Sequence, residues 1–163
     1  MSKKRWGKLG LQHKNGFAGK KTRQEPNSRT NPNNPHEQDA EKILLELKNK
    51  DKVFGFVERN NSIDSIGIDW VVGRHVKVSK HSRKLRVHIQ HKVREKDAAY
   101  FRDRNPCIPV WIHHQSTSAL DGKINVLKII VKALGRVSSS HIDFFKEKLE
   151  YFENLQKQEA SST

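Results

Sequence analysis

An α/β fold of order α-β-β-β-α-β, extended by C-terminal helices, is predicted by three features of the sequence. Two stretches, SIGIDWVV (65–72) and LRVHIQHK (85–92), carry the period of two that marks a strand, and VFGFVER (53–59) before them has strand composition. Segments with apolar residues three and four apart flank them, HEQDAEKILLELKN (36–49) and REKDAAYFRDR (94–104), and that is the helical period. A fourth short apolar run, CIPVWIHH (107–114), follows Asn105-Pro106.

Each element has its own warrant. Ala40, Ile43, Leu44 and Leu47 form the stripe of the first helix, and Asn34-Pro35 supplies its start. In the first strand Val53, Gly55 and Val57 oppose Phe54 and Phe56, after which NNSIDS makes a turn. The second strand places Ile66, Ile68, Trp70 and Val72 on one face and Gly67, Asp69 and Val71 on the other, its apolar run continuing through Val76 and Val78. KHSRK (80–84) reads as a hairpin tip. The third strand sets Leu85, Val87 and Ile89 against Arg86, His88, Gln90 and Lys92. In the helix at 94–104, Ala98, Tyr100 and Phe101 point inward. Pro109 belongs near the start of the fourth strand or on an edge. KINVLKIIVKALGR (123–136) fits either one helix or a strand leading into a helix. The last helix, 140–158, starts at a Ser140 cap and carries the stripe Ile142, Phe145, Leu149 and Phe152. YFENLQ fits helix packing, including that of a homodimer.

The 163 residues suit one domain of ordinary size with tails. Residues 1–35 form a basic arm without periodicity, in which Trp6 and Phe17 are available for stacking on bases. Residues 36–136 form the core, and 137–163 a C-terminal helix and tail. No run approaches the length of a membrane helix, and the N-terminus lacks a secretion signal's apolar stretch, so an intracellular setting, cytoplasm or nucleoid, is expected. The one cysteine, Cys107, excludes an intramolecular disulfide and a cysteine-based zinc site, and is expected to pack as a small hydrophobe.

Charge is distributed unevenly. The net charge is +14, and residues 1–35 carry nine basic side chains and one acidic, a balance of +8. Residues 73–104 carry eleven basic and three acidic, again +8. Such a field points to a polyanion, with nucleic acid the commonest partner. A merely solubilising surface would mix the signs more evenly. In the hairpin, Arg74, Lys77, Lys80, Arg83, Lys84 and Arg86, with His88 and Arg94 beyond, are the candidate nucleic-acid contacts. They would hold the backbone rather than read sequence. Lysines protecting a strand edge from aggregation are the plainer alternative. His75 and His81 add phosphate contacts at acidic pH.

The chemistry lies on the two middle strands. A carboxylate at Asp69, within an otherwise apolar strand, is costly to bury without a partner or metal. Hairpin pairing sets it on the same face as His88, Gln90 and Lys92. One carboxylate, one carboxamide oxygen and one amine thereby converge, and this combination serves metal-assisted phosphodiester hydrolysis. His91 is expected to be partly buried with a backbone partner. His113-His114 lacks the third ligand a zinc site needs. Asp64 suits an Asx-turn better than a supplementary ligand.

Ile68-Asp69, followed after a hairpin by IQHK at 89–92, resembles the PD-(D/E)XK nuclease superfamily over residues 36–115. The resemblance implies a restriction-endonuclease-like core with a central mixed sheet. It also implies Mg²⁺ or Mn²⁺ held by Asp69 and Gln90 with a glutamate of the first helix, Glu41 or Glu37, while Lys92 assists the attack. Gln90 stands where the superfamily more often has Asp or Glu, which removes a negative charge from the metal site. Metal-dependent endonuclease activity, on DNA rather than RNA, is the expected function. The alternative is a non-catalytic binder of structured RNA or DNA on the same fold. A protein-interaction module would leave the Asp69 row unexplained.

Overall fold

The computed structural model describes residues 34–59, 69–78, 80–136 and 141–163. The basic arm up to residue 33, Asp64, Ile66, Gly67, Ile68 and Ser140 lie outside the described residues. Helix α1 (Pro35–Asn49) is followed by strands β1 (Phe56–Arg59), β2 (Trp70–Val78) and β3 (His81–Lys92), helix α2 (Glu95–Arg104), strand β4 (Val110–Ile112), and helices α3 (Ala119–Gly135) and α4 (Ile142–Ser161). The strands form one open mixed sheet in the order β1-β2-β3-β4. The first three are antiparallel neighbours, and β4 runs parallel to β3.

Helix α1 begins where the sequence supplies a cap. The Asn34 side chain accepts from the backbone N–H groups of His36 and Glu37, and Pro35 occupies the first helical position. Its stripe of Ala40, Ile43, Leu44 and Leu47 is buried. Across the core lie Trp70 and Val72 of β2, Val87 and Ile89 of β3, and Trp111 of β4. Phe145 and Phe152 of α4 join the same cluster with Ile142 and Leu149 beside them. Residues 34–163 are one compact unit.

The stretch 123–136, open between strand and helix, belongs to helix α3. Ser118 caps its start by accepting from the Asp121 N–H at 3.1 Å. Ile124, Val126, Leu127, Ile130 and Leu134 are buried on it. Lys123 is buried too, with its ammonium 2.8 Å from Asp51 and 3.1 Å from Glu46. Burial alone would lower its pKa, but the two carboxylates outweigh it and raise the pKa above the usual lysine value.

Four expectations change. β1 begins only at Phe56, and Val53 and Phe54, expected on opposite faces of that strand, both lie buried in the main core. β3 already begins at His81, paired with Val78, so residues 81–84 belong to the strand and not to a tip. Tyr100 is exposed beneath the Arg104 guanidinium, 4.0 Å from its ring, while Ala98 is buried. Cys107 is exposed in the turn that precedes β4, not packed as a small hydrophobe. Among the described residues no helix is long and apolar enough to cross a membrane.

Gly73 of β2 lies against the β3 backbone at Leu85. A Cβ on it would lie 1.7 Å from the Leu85 carbonyl oxygen, a backbone atom with no room to yield. Gly73→Ala should therefore destabilise the protein by roughly 2 kcal/mol or more, read from urea denaturation midpoints.

Candidate functional site

The antiparallel register sets Trp70 opposite Ile89 and Val71 opposite His88. The residue before β2, Asp69, therefore faces Gln90, and the two side chains share the sheet face turned away from the main core. They touch directly: the Gln90 Nε2–H donates to Asp69 Oδ2 at 2.7 Å. The same oxygen accepts from the His91 backbone N–H at 2.9 Å. Gln90 also donates, at 3.3 Å, to the His91 carbonyl.

Gln90 is 5% exposed, and its carbonyl oxygen is buried without a hydrogen-bond partner among the described residues. An amide oxygen left in that state costs about 1–3 kcal/mol. Nδ1 of His88, two residues earlier on the same face, is likewise buried and unpartnered. Lys92 follows two residues after Gln90, half-buried, with its ammonium 5.3 Å from the Phe101 ring centroid of α2. The row thus consists of a half-buried carboxylate, an orphaned amide oxygen, an imidazole nitrogen and an ammonium. Phe56 and Val71, with Ile108 against them, form a small apolar cluster on that face.

The helix glutamates are placed differently. Glu37 forms an ion pair with Arg59, whose guanidinium lies over the Trp70 ring on the core side of the sheet. Glu41 borders a shallow concavity with Gln38, Lys42 and Leu45 along the outer side of α1. The structure brings Asp69, Gln90, His88 and Lys92 onto one face and does not bring Glu41 to them. Among the described residues no group of three or more His, Cys, Asp and Glu is arranged to hold a metal ion.

The candidate contacts divide by their partners. Arg94 makes two hydrogen bonds to Asp97, at 2.8 and 3.2 Å; these raise the arginine's pKa and lower the aspartate's. Arg74 lies 3.5 Å above the Phe144 ring of α4, and the Lys84 ammonium is 3.6 Å from Glu58. Lys77, Lys80, Arg83 and Arg86 are exposed. Arg86 and His88 border a concavity of about 400 Å³ with Cys107, Ile108 and Arg136.

Behind the row, histidines fasten the sheet to α1. The buried His91 donates from Nε2 to the His113 carbonyl oxygen at 3.0 Å, the backbone partner expected from the sequence. His113, stacked on Trp111, donates from Nε2 to Asp39 of α1 at 2.7 Å. Neither this link nor the role of the His91 N–H has a local sequence signal, since the partners lie far apart in the chain. No protein-family model matches the chain, and no curated protein or solved structure matches it either.

Burial lowers the His91 pKa from 6.5 to about 4, against the raising effect of its bond to the His113 carbonyl. The unfolded chain then binds the proton more readily than the folded one. The stability due to a neutral His91 is present above pH 6.5 and is lost as pH falls toward 4. The loss is on the order of 3 kcal/mol. Urea denaturation between about pH 7.5 and about pH 4.5 should show it, and His91→Gln should flatten that part of the profile.

Proposed function

We propose that this protein is a metal-dependent nuclease of the PD-(D/E)XK type that hydrolyses phosphodiester bonds, with DNA as the preferred substrate. The observation that carries the reading is the Gln90 side chain against the Asp69 carboxylate, with its carbonyl oxygen buried and lacking a hydrogen-bond partner among the described residues. Hard divalent cations take oxygen ligands, and one or two carboxylates with waters and substrate phosphate suffice for Mg²⁺. The donors fit Mg²⁺ or Mn²⁺, which Asp69 and the Gln90 oxygen would hold. The bound cation would supply charge stabilisation at the phosphoryl oxygens.

The remaining work falls to this chain's own groups. Lys92, on the same face as Asp69 and Gln90, places a positive charge where negative charge develops on the phosphate. Half-burial strengthens that interaction relative to bulk water. The His91 N–H fixes the Asp69 carboxylate in orientation. Gln90 contributes no charge, so the cation is held more weakly than by a pair of carboxylates, and Gln90→Glu should tighten it.

One observation favours a non-catalytic nucleic-acid binder: Asp69 Oδ2 already accepts from two N–H donors, as a purely structural aspartate does. Labelled double-stranded, single-stranded and branched DNA, and RNA, incubated with Mg²⁺, Mn²⁺ or EDTA, separate the two. The nuclease reading expects cleavage with either metal and none with EDTA. Lys92→Ala should lower the rate by about 100-fold or more while leaving binding intact. Binding without cleavage under every condition would establish the binder. An Asp69→Asn protein that cuts as well as wild type would remove the metal site.

A further inference from the structure

The β2–β3 hairpin outruns the sheet that supports it. β1 pairs with β2 only as far as Gly73, and β4 pairs with β3 only over residues 90–92. The pairs from Arg74–Leu85 to Val78–His81 therefore form a two-stranded ribbon with no third strand among the described residues. Residues 80–84 are exposed whichever way they point, so neither face of the outer ribbon is covered. Its root is fixed by the close approach at Gly73 and by Arg74 packed on Phe144.

Residues 73–94 hold eight Lys and Arg and no Asp or Glu, so an acidic partner cannot be supplied from within the ribbon. Alternation puts Arg83 on one face and Lys77, Lys84 and Arg86 on the other, with Lys80 at the tip. Lys77, Lys80, Arg83 and Arg86 have no ion partner among the described residues.

We infer that this ribbon enters the major groove of a B-form DNA duplex, about one helical turn from the site at Asp69 and Gln90. Cations on both faces match a groove, which has phosphates on both walls; a ribbon lying across a single backbone needs them on one face only. The major groove, about 12 Å wide, admits a two-stranded ribbon, whereas the minor groove, about 6 Å wide, does not. The major groove of A-form RNA is too deep and narrow for side chains to read. From Gln90 to His81 the strand advances nine residues, about 30 Å at roughly 3.3 Å each, against a helical turn of about 34 Å. Only the position relative to the cut phosphate rests on the nuclease reading.

Binding alone tests the inference. Fluorescence anisotropy in EDTA, over a range of salt, would compare three duplexes of about two helical turns. They are DNA, RNA of the same sequence, and DNA whose cytosines carry glucosylated hydroxymethyl groups that fill the major groove. Wild type should bind plain DNA at least about tenfold more tightly than the other two. The variant Lys77→Gln/Lys80→Gln/Arg83→Gln should lose that preference, and its log–log salt slope should fall by about 3. Should that variant melt early, Lys80→Gln alone should lower the slope by about 1. Equal affinity for RNA or glucosylated DNA, or an unchanged slope in the ribbon variants, would overturn the inference. Because EDTA prevents cleavage, a protein that prefers plain DNA in this way but never cuts would lose the nuclease reading and keep the ribbon.

Discussion

Trp70 stands opposite Ile89 and Val72 opposite Val87, so the register of β2 and β3 buries four apolar side chains on one face and leaves Asp69 facing Gln90 on the other. Each buried side chain of this kind is worth about 1.5–3 kcal/mol. A slip of one residue would exchange the two faces, turning Asp69 and Gln90 into the core and the apolar set toward water. The register is therefore held by the core, and the polar row is a consequence of it. Further contacts fix the end of the hairpin. Asp69 bonds to the His91 N–H, His91 bonds to the His113 carbonyl, and His113 bonds to Asp39 on α1. The row sits on strands pinned from behind, which is what a site needs if its groups are to keep their positions.

The features legible in the sequence were those that depend on each residue's own place in a period. The alternation Leu85, Val87, Ile89 against Arg86, His88, Gln90, Lys92 is visible in the sequence itself, as are the stripes of α1 and α4 and the Asn34 start. Contacts between distant residues were not legible: Glu37 with Arg59, Lys123 with Glu46 and Asp51, and His113 with Asp39 have no local pattern. The sequence suggests a hairpin tip at 80–84, where β3 already runs from His81, for a physical reason. An outer ribbon with neither face covered has no core to impose alternation, so its composition resembles that of a turn. Residues 123–136 were ambiguous because a run rich in Ile and Val suits a buried strand as well as a buried helix. The Ser118 cap and the packing of Gly122 against Ile43 and His113 belong to the helix.

Gln90 holds both readings of the site in one side chain. Its nitrogen donates to the Asp69 carboxylate, and its oxygen is buried with no hydrogen-bond partner among the described residues. With a glutamate there, two carboxylates would face each other across the strands and repel unless a cation lay between them. Gln90 avoids that repulsion by donating to the Asp69 carboxylate. The same economy of acidic groups extends outward, since residues 73–94 contain none. A phosphate approaching this face meets positive charge on either side of the row.

The cation site proposed at Asp69 and Gln90 is open to direct measurement. Paramagnetic broadening by Mn²⁺ tests it most directly, through the amide spectrum of the full chain, 18.9 kDa. Broadening should be strongest at the backbone amides of Asp69, Gln90 and His91 and at the Gln90 side-chain NH₂, and Asp69→Asn should abolish it. Broadening that is absent there, or that survives in Asp69→Asn, would contradict the proposed cation site.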